Sequence, residues 1–325
     1  MEIRKIVDQI IQQAILAHAS DIFLLPNQNK YHLNLRLSTG VMTLDSLTTS
    51  RGIEVINYFK YIAQMDISEH RRPQVGAMIY LFDDKKYYLR LSSLGDFNDA
   101  ESLVIRIIYP INKSKYYLPE QIQQLQELAL KRGLVLTSGP TGSGKTTTMY
   151  ELAKELGQDK VVMTIEDPVE VHETSFLQTQ VNNEAGIDYV SLLKAALRHR
   201  PDILIIGEIR DHGTARLAVD AALSGHLVLA TIHAKSTLQT ITRLEGLGIT
   251  NSELANCLTA ASYQRLIPSN QGELTCLLDI ASGATLKAAI EQPARADFVS
   301  WKKNLQQLEM EDKIDAETFK LFEEG

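Results

Sequence analysis

Cysteine is scarce in this chain, with only Cys257 and Cys276 among 325 residues. Two thiols so far apart in sequence make neither a disulfide framework nor a zinc site, so both are expected as small buried hydrophobes in a reducing compartment, with no zinc and no structural metal. Long apolar runs are missing too. No stretch of about 18 apolar residues occurs, which excludes a helical membrane span. The N-terminal segment lacks the pattern of a secretory leader: Asp8, Gln12 and Gln13 stand among Ile3, Ile6, Ile10 and Ile15, as in an amphipathic helix. The chain is therefore expected in the cytoplasm. Positive charge is short, the net value being −7. That balance disfavours broad attraction to DNA or anionic lipid, and no direct nucleic-acid binding is expected. No internal repeat or low-complexity tract is visible. The length suits two domains on the usual scale of roughly 100 to 200 residues each.

What the chain does have is GPTGSGKT at residues 139–146. Glycines at Gly139, Gly142 and Gly144 let the backbone curl into a nest whose N–H groups point inward, with Pro140, Thr141 and Ser143 between them. Lys145 is spaced to reach the β- and γ-phosphates of a nucleoside triphosphate, and Thr146 to place its hydroxyl on Mg²⁺, with Thr147 following in the helix. The flanks agree with this reading. Residues 119–132 carry Ile122, Leu125, Leu128 and Ala129 on one helical face, Leu134 to Leu136 read as a short strand, and residues 146–156 read as a second helix ending at Gly157.

Residues 1–108 read as a mixed α/β unit. It has a helix to His18, strands over 22–25 and 31–37, a helix over 50–63 and strands over 77–81, 87–91 and 103–108. Residues 109–118 look like a linker. From Pro119 helix and strand alternate, the signature of a parallel sheet covered by helices, over 119–268. A hairpin around 270–272 and helices then fill residues 269–325, where Trp301, Leu305 and Leu308 are expected to pack onto the preceding domain.

Three further blocks bear on chemistry. In PDILIIGEIRD (201–211) a buried strand ends at Glu208, at the sheet edge where ligands bind, so this carboxylate is placed to orient or deprotonate an attacking water. Gly207 occupies the position where many such sites carry a magnesium-facing aspartate. The plainer reading pairs Glu208 with Arg210. In TIEDPVE (164–170), Glu166 and Asp167 open at the same edge, with roles open between water-mediated Mg²⁺ binding, positioning of the nucleophilic water, and a simple Asp-Pro turn. In SGHLVLATIHA (224–234), His233 lies at the catalytic end of the strand and His226 at the other, which suits a γ-phosphate contact for the first and a structural or subunit role for the second.

With these blocks in order, the chain resembles the secretion ATPases of the type II secretion and type IV pilus superfamily. GPTGSGKTTT resembles the Walker A segment of that family, TIEDPVE its Asp box, LRHRPDILIIGEIRD its Walker B and SGHLVLATIHA its His box, while Gln264, Arg265 and Leu266 match the QRL that follows. ASDIFLLP and RRPQVG extend the likeness into the N-terminal region. Within the family the chain looks most like the competence branch of Gram-positive bacteria. The resemblance implies an α/β fold with a RecA-like P-loop ATPase domain and a smaller, PAS-like α+β N-terminal domain. It also implies ATP and Mg²⁺ as ligands, a homo-hexamer, and a polytopic inner-membrane platform protein as partner, acting indirectly on pilins to build a pseudopilus for DNA uptake. A peripheral place at the inner face of the membrane follows. Neither the extended N-terminal domain of many relatives nor their tetracysteine zinc module is expected. The family further suggests arginines brought to ATP from the N-terminal domain, and the matching positions are Arg90 and Arg106, whose plainer reading is strand arginines paired with carboxylates. Pilus retraction and a nucleotide-gated scaffold with little turnover stand as alternatives to assembly.

Overall fold

The computed structural model describes residues 2–37, 40–109, 114–182, 185–292 and 294–325. They fall into two compact units, Met1–Ile111 and Asn112–Gly325.

In the first unit, apolar residues recur every three to four positions along helix α1 (Glu2–Leu16), which buries Val7, Ile10, Ile11, Ala14 and Ile15. Strands β1 (Asp21–Asn27), β2 (Lys30–Leu37) and β3 (Gly40–Thr48) lead into helix α2 (Thr49–Ile62). Strands β4 (Gln74–Phe82), β5 (Lys85–Gly95) and β6 (Glu101–Ile108) follow. All six pair antiparallel in the order β3-β2-β1-β6-β5-β4. Alternate side chains such as Ile22, Leu24, Leu89, Leu91, Leu103 and Ile105 are buried in one core with the two helices. This is the α+β arrangement expected of the N-terminal domain. Strand β3 is absent from the sequence reading for a physical reason: nearly all its side chains stay exposed, so no period-two signal marks it. Lys60 of α2 is fully buried, with Nζ 2.7 Å from Glu101 Oε1 and donating to the backbone O of Glu69 at 2.6 Å. A buried ammonium group persists only with such partners.

The stretch expected as a linker, 109–118, falls in part on 110–113, outside the described residues. Its end belongs to the second unit, where Tyr116 bridges to Cys276 and Tyr117 and Leu118 are buried. Helix α3 (Pro119–Ala129), strand β7 (Gly133–Ser138), helix α4 (Lys145–Leu156), strands β8 (Val162–Glu166) and β9 (Leu177–Gln180), helix α5 (Tyr189–Arg198), strand β10 (Ile203–Ile209), helix α6 (His212–Leu223) and strand β11 (Leu227–Ile232) come in turn. Helices α7 (Gln239–Gly246) and α8 (Asn251–Cys257) precede strands β12 (Leu258–Pro268) and β13 (Leu274–Ser282), and helices α9 (Gly283–Glu291), α10 (Trp301–Met310) and α11 (Ala316–Phe322) close the chain. The sheet runs β13-β12-β7-β11-β10-β8-β9 and is parallel except where β13 returns antiparallel to β12. The hairpin expected after residue 268 is therefore made by two strands of the central sheet, and β13 shares the core with what precedes it. Trp301 is buried, donates from Nε1 to the backbone O of Phe322 at 2.8 Å, and meets the Tyr263 ring edge-on, so the C-terminal helices pack on β12 as expected. Cys257 and Cys276 are both buried, and burial pushes each thiol up to about 12.

Candidate functional site

Strand β7 lies between β12 and β11 and delivers the chain into the loop 139–144 at its carboxyl end. Gly139 and Gly144 adopt φ of 141° and 85°, conformations in which a side chain is strained. Gly144 is the N-cap of α4, so the loop amides and the positive end of the helix meet at one place. Lys145 Nζ donates to the backbone O of Gly139 and of Pro140, each at 2.9 Å. Burial lowers its pKa, against the raising effect of the Glu208 and Glu170 charges. An ammonium group withdrawn from water in this way gains from an anion brought within reach.

The loop forms one wall of a cleft of about 510 Å³. Thr141, Gly142, Gly144, Lys145, Thr146 and Thr147 line that wall, and the carboxyl ends of β8, β10 and β11 line the other. Glu208 stands there with its side chain 16% exposed, accepting from Arg210 Nε at 2.7 Å and lying 3.1 Å from His233 Nε2. The pair of Glu208 with Arg210 is itself part of the cleft wall, so the salt bridge is compatible with a place in the site. Arg210 also approaches Asp167 at 3.8 Å, and its pKa is raised chiefly by the hydrogen bond to Glu208. His233 faces the cleft, whereas the ring of His226 lies at the start of β11, with Nδ1 3.1 Å from the backbone O of Ala221.

Glu166 behaves differently from Glu208. It is 3% exposed, and its Oε1 accepts from Tyr150 Oη and from Thr164 Oγ1, both at 2.6 Å. Burial raises its pKa and the hydroxyls oppose the rise. The side chain still borders the cleft, but it is tied to α4 and to its own strand. Gly207 is explained by the same neighbour: a Cβ there would come within 3.3 Å of the Cα and Cγ of Glu166 and of the backbone O of Ile165. An aspartate at that position would need β8 to give by a few tenths of an ångström.

Thr146 Oγ1 donates to Glu170 Oε2 at 3.3 Å. This hydroxyl and the carboxylates of Glu170 and Glu208 are hard oxygen donors that suit Mg²⁺. Among the described residues no group of three or more His, Cys, Asp or Glu is placed to hold a metal ion, so a magnesium ion would come with phosphate and water ligands of its own.

Arg90 and Arg106 belong to the first unit and stand directly opposite each other on β5 and β6. Arg106 Nε donates to the buried carboxylate of Asp21 at 2.9 Å, the paired arrangement that a strand arginine ordinarily adopts. The residues lining the cleft all come from the second unit.

Residues 1–297 match the family model described as type II/IV secretion system protein. The chain belongs to that family. This secretion ATPase is a P-loop enzyme. It is 43% identical over 265 residues to the competence protein ComGA of Streptococcus pneumoniae, covering 82% of this chain and 85% of that one. To the competence protein ComGA of Bacillus subtilis it is 37% identical over 272 residues, covering 82% and 76%. Its fold is that of the X-ray structure of the Legionella pneumophila ATPase DotB, with a TM-score of 0.76 at 19% identity over 97% of this chain and 94% of that one.

Several side chains of the secretion ATPase site are absent from the motif reading. Tyr150 follows Thr146 by one helical turn, so the helix period alone places it near the cleft. Gln178, which donates to Tyr150 Oη at 2.7 Å, comes from the short edge strand β9 and carries no local signal. Thr231 donates from Oγ1 to the backbone O of Gly207, and only strand pairing brings those two together.

Proposed function

We propose that this ATPase is the hexameric motor that powers assembly of a competence pilus or pseudopilus for DNA uptake. It would work at the cytoplasmic face of the membrane on a polytopic platform protein, and through it on pilins. The observation that carries the reading is Glu208, held between Arg210 and His233 across the cleft from the phosphate loop. Likeness to the competence proteins named above supports the choice of machine, and the absence of any described helix long and apolar enough to cross a membrane agrees with a peripheral place.

In this mechanism the loop amides and Lys145 hold the phosphates, Thr146 holds Mg²⁺, and Glu208 takes the proton of the attacking water while His233 meets the γ-phosphate. When bound, Mg²⁺ supplies charge neutralisation at the phosphates. Glu166, bonded to Tyr150 on α4, keeps the floor of the cleft in register with the loop. Arg90 and Arg106 neutralise charge developing on the γ-phosphate when the N-terminal domain closes, an effect worth roughly 10³ to 10⁵ in rate in other ATPases and GTPases. For Arg106 this requires exchange of Asp21 for phosphate. Closure then couples nucleotide state to rigid-body movement that a ring passes on.

Phosphate release by the purified chain, with Glu208→Gln as control, tests the chemistry. Deletion of the gene tests the machine: loss of surface filaments and of DNA uptake is expected, whereas accumulated filaments would mark a retraction motor and absent turnover a scaffold.

A further inference from the structure

Strand β12 is paired with β7 up to Tyr263 opposite Ser138, the last residue before the phosphate loop. Gln264 therefore stands level with Gly139, outside all four nucleotide-binding motifs. Its side chain is fully buried, and Nε2 donates to the backbone O of Ser143 at 2.6 Å. The fit is close on every side. A Cβ at Gly139 would lie 2.4 Å from the backbone O of Gln264, and one at Gly144 would lie 3.3 Å from its Nε2. The amide Oε1 has no protein partner among the described residues, nor has Ser143 Oγ. Burying a half-satisfied amide is unfavourable, and a Leu or Met would fill the space without that penalty. The donor is the part of the side chain that the loop uses.

A loop whose amides turn inward to an anion turns carbonyls outward, and each buried outward carbonyl needs a donor from elsewhere. Lys145 serves Gly139 and Pro140. That ammonium group is also the one that must reach the phosphates, so a triphosphate competes with the two carbonyls for it. The bond from Gln264 meets no such competition, because Gln264 is no part of the cleft lining.

We infer that Gln264 is a positioning residue for the nucleotide: from β12 it holds the Ser143 carbonyl, and so keeps the phosphate loop in its anion-binding shape while Lys145 changes partners. The inference rests on the ATPase reading of the same cleft. It also gives β12 a divided use, since by strand alternation Gln264 and Leu266 face the loop and cleft while Tyr263 and Arg265 face the C-terminal helices, Arg265 lying 4.8 Å from the Phe322 ring.

The test compares full-length wild type with Gln264→Glu and Gln264→Met, in steady-state turnover of MgATP and in titration with a ribose-labelled fluorescent ATP. Near neutral pH both variants are expected to raise KM and the dissociation constant about tenfold, the size of one lost hydrogen bond, with kcat at saturation little changed; Tm should stay near wild type in Gln264→Met and fall in Gln264→Glu, which buries a carboxylate against the Ser143 carbonyl. As pH falls, Gln264→Glu should recover towards wild type, because a protonated carboxyl donates again to Ser143, and Gln264→Met should not. In Gln264→Met, an affinity within about twofold of wild type, or a loss that simply follows Tm, overturns the inference. Should Gln264→Glu not fold, Gln264→Met decides by the same criterion. Failure of the wild-type chain itself to bind ATP would instead remove the ATPase reading.

Discussion

Nε2 of His233 lies 3.1 Å from Oε1 of Glu208, although the histidine follows β11 and the glutamate ends β10. The two parallel strands finish level, and their register shifts between Ile206 and Ile209, the stretch that contains Glu208. Such an irregularity re-aims a side chain that strict alternation would send elsewhere. Glu208→Gln is expected to cut kcat by about 10² to 10⁴ while ATP binding stays near wild type. His233→Ala should cost less, because Arg210 still holds the carboxylate. Phosphate release and nucleotide titration on the same preparations check both, and normal turnover in Glu208→Gln would remove the residue from its role.

Placing at Gly207 the magnesium-facing aspartate that many P-loop ATPases carry should not help this one. Gly207→Asp is expected to lower Tm and activity together, since its Cβ meets Glu166 and Ile165 at 3.3 Å. A variant as stable as wild type with tighter magnesium dependence would show that β8 yields easily.

The buried Glu166 carboxyl gives a pH signature. Its folded-state pKa is raised by burial, so the folded protein binds this proton more readily than the unfolded chain does. Stability from this group is therefore present at low pH and lost as pH rises through the folded value. Glu166→Gln should gain stability relative to wild type near pH 8 and lose that advantage towards pH 4, about the ordinary carboxylate range, in urea unfolding at both values. An advantage independent of pH would contradict the burial argument.

In the first unit, Lys60→Ala leaves the Glu101 carboxylate buried without its ammonium partner, with His70 at 2.9 Å the remaining ionic partner among the described residues. A loss of about 3 to 5 kcal/mol in denaturant unfolding is expected, and Lys60→Met combined with Glu101→Leu should recover most of it. Equal stability of Lys60→Ala and wild type would show that the pair contributes nothing net.

The phosphate loop, the Glu208 strand and the two histidine positions were legible because each is a contiguous segment whose spacing carries its own chemistry. Strands β3 and β9 were not, since one leaves its side chains in solvent and the other is four residues of LQTQ at a sheet edge. Tyr150, Gln178 and Gln264 act through pairs distant in sequence. Glu166 and Glu208 look alike as acids at strand ends, yet one is sealed under two hydroxyls and the other stands in the cleft.

Glycine spacing, one lysine and a run of apolar strands suffice to specify a triphosphate loop on a parallel sheet, because these requirements are local to the backbone that meets them. Which carboxylate remains open to the cleft, why Gly207 lacks a side chain, and what supports the loop from behind are settled only when β8, β10 and β12 are laid beside one another. Those properties depend on burial and on strand register, and both arise from residues that the chain order keeps apart.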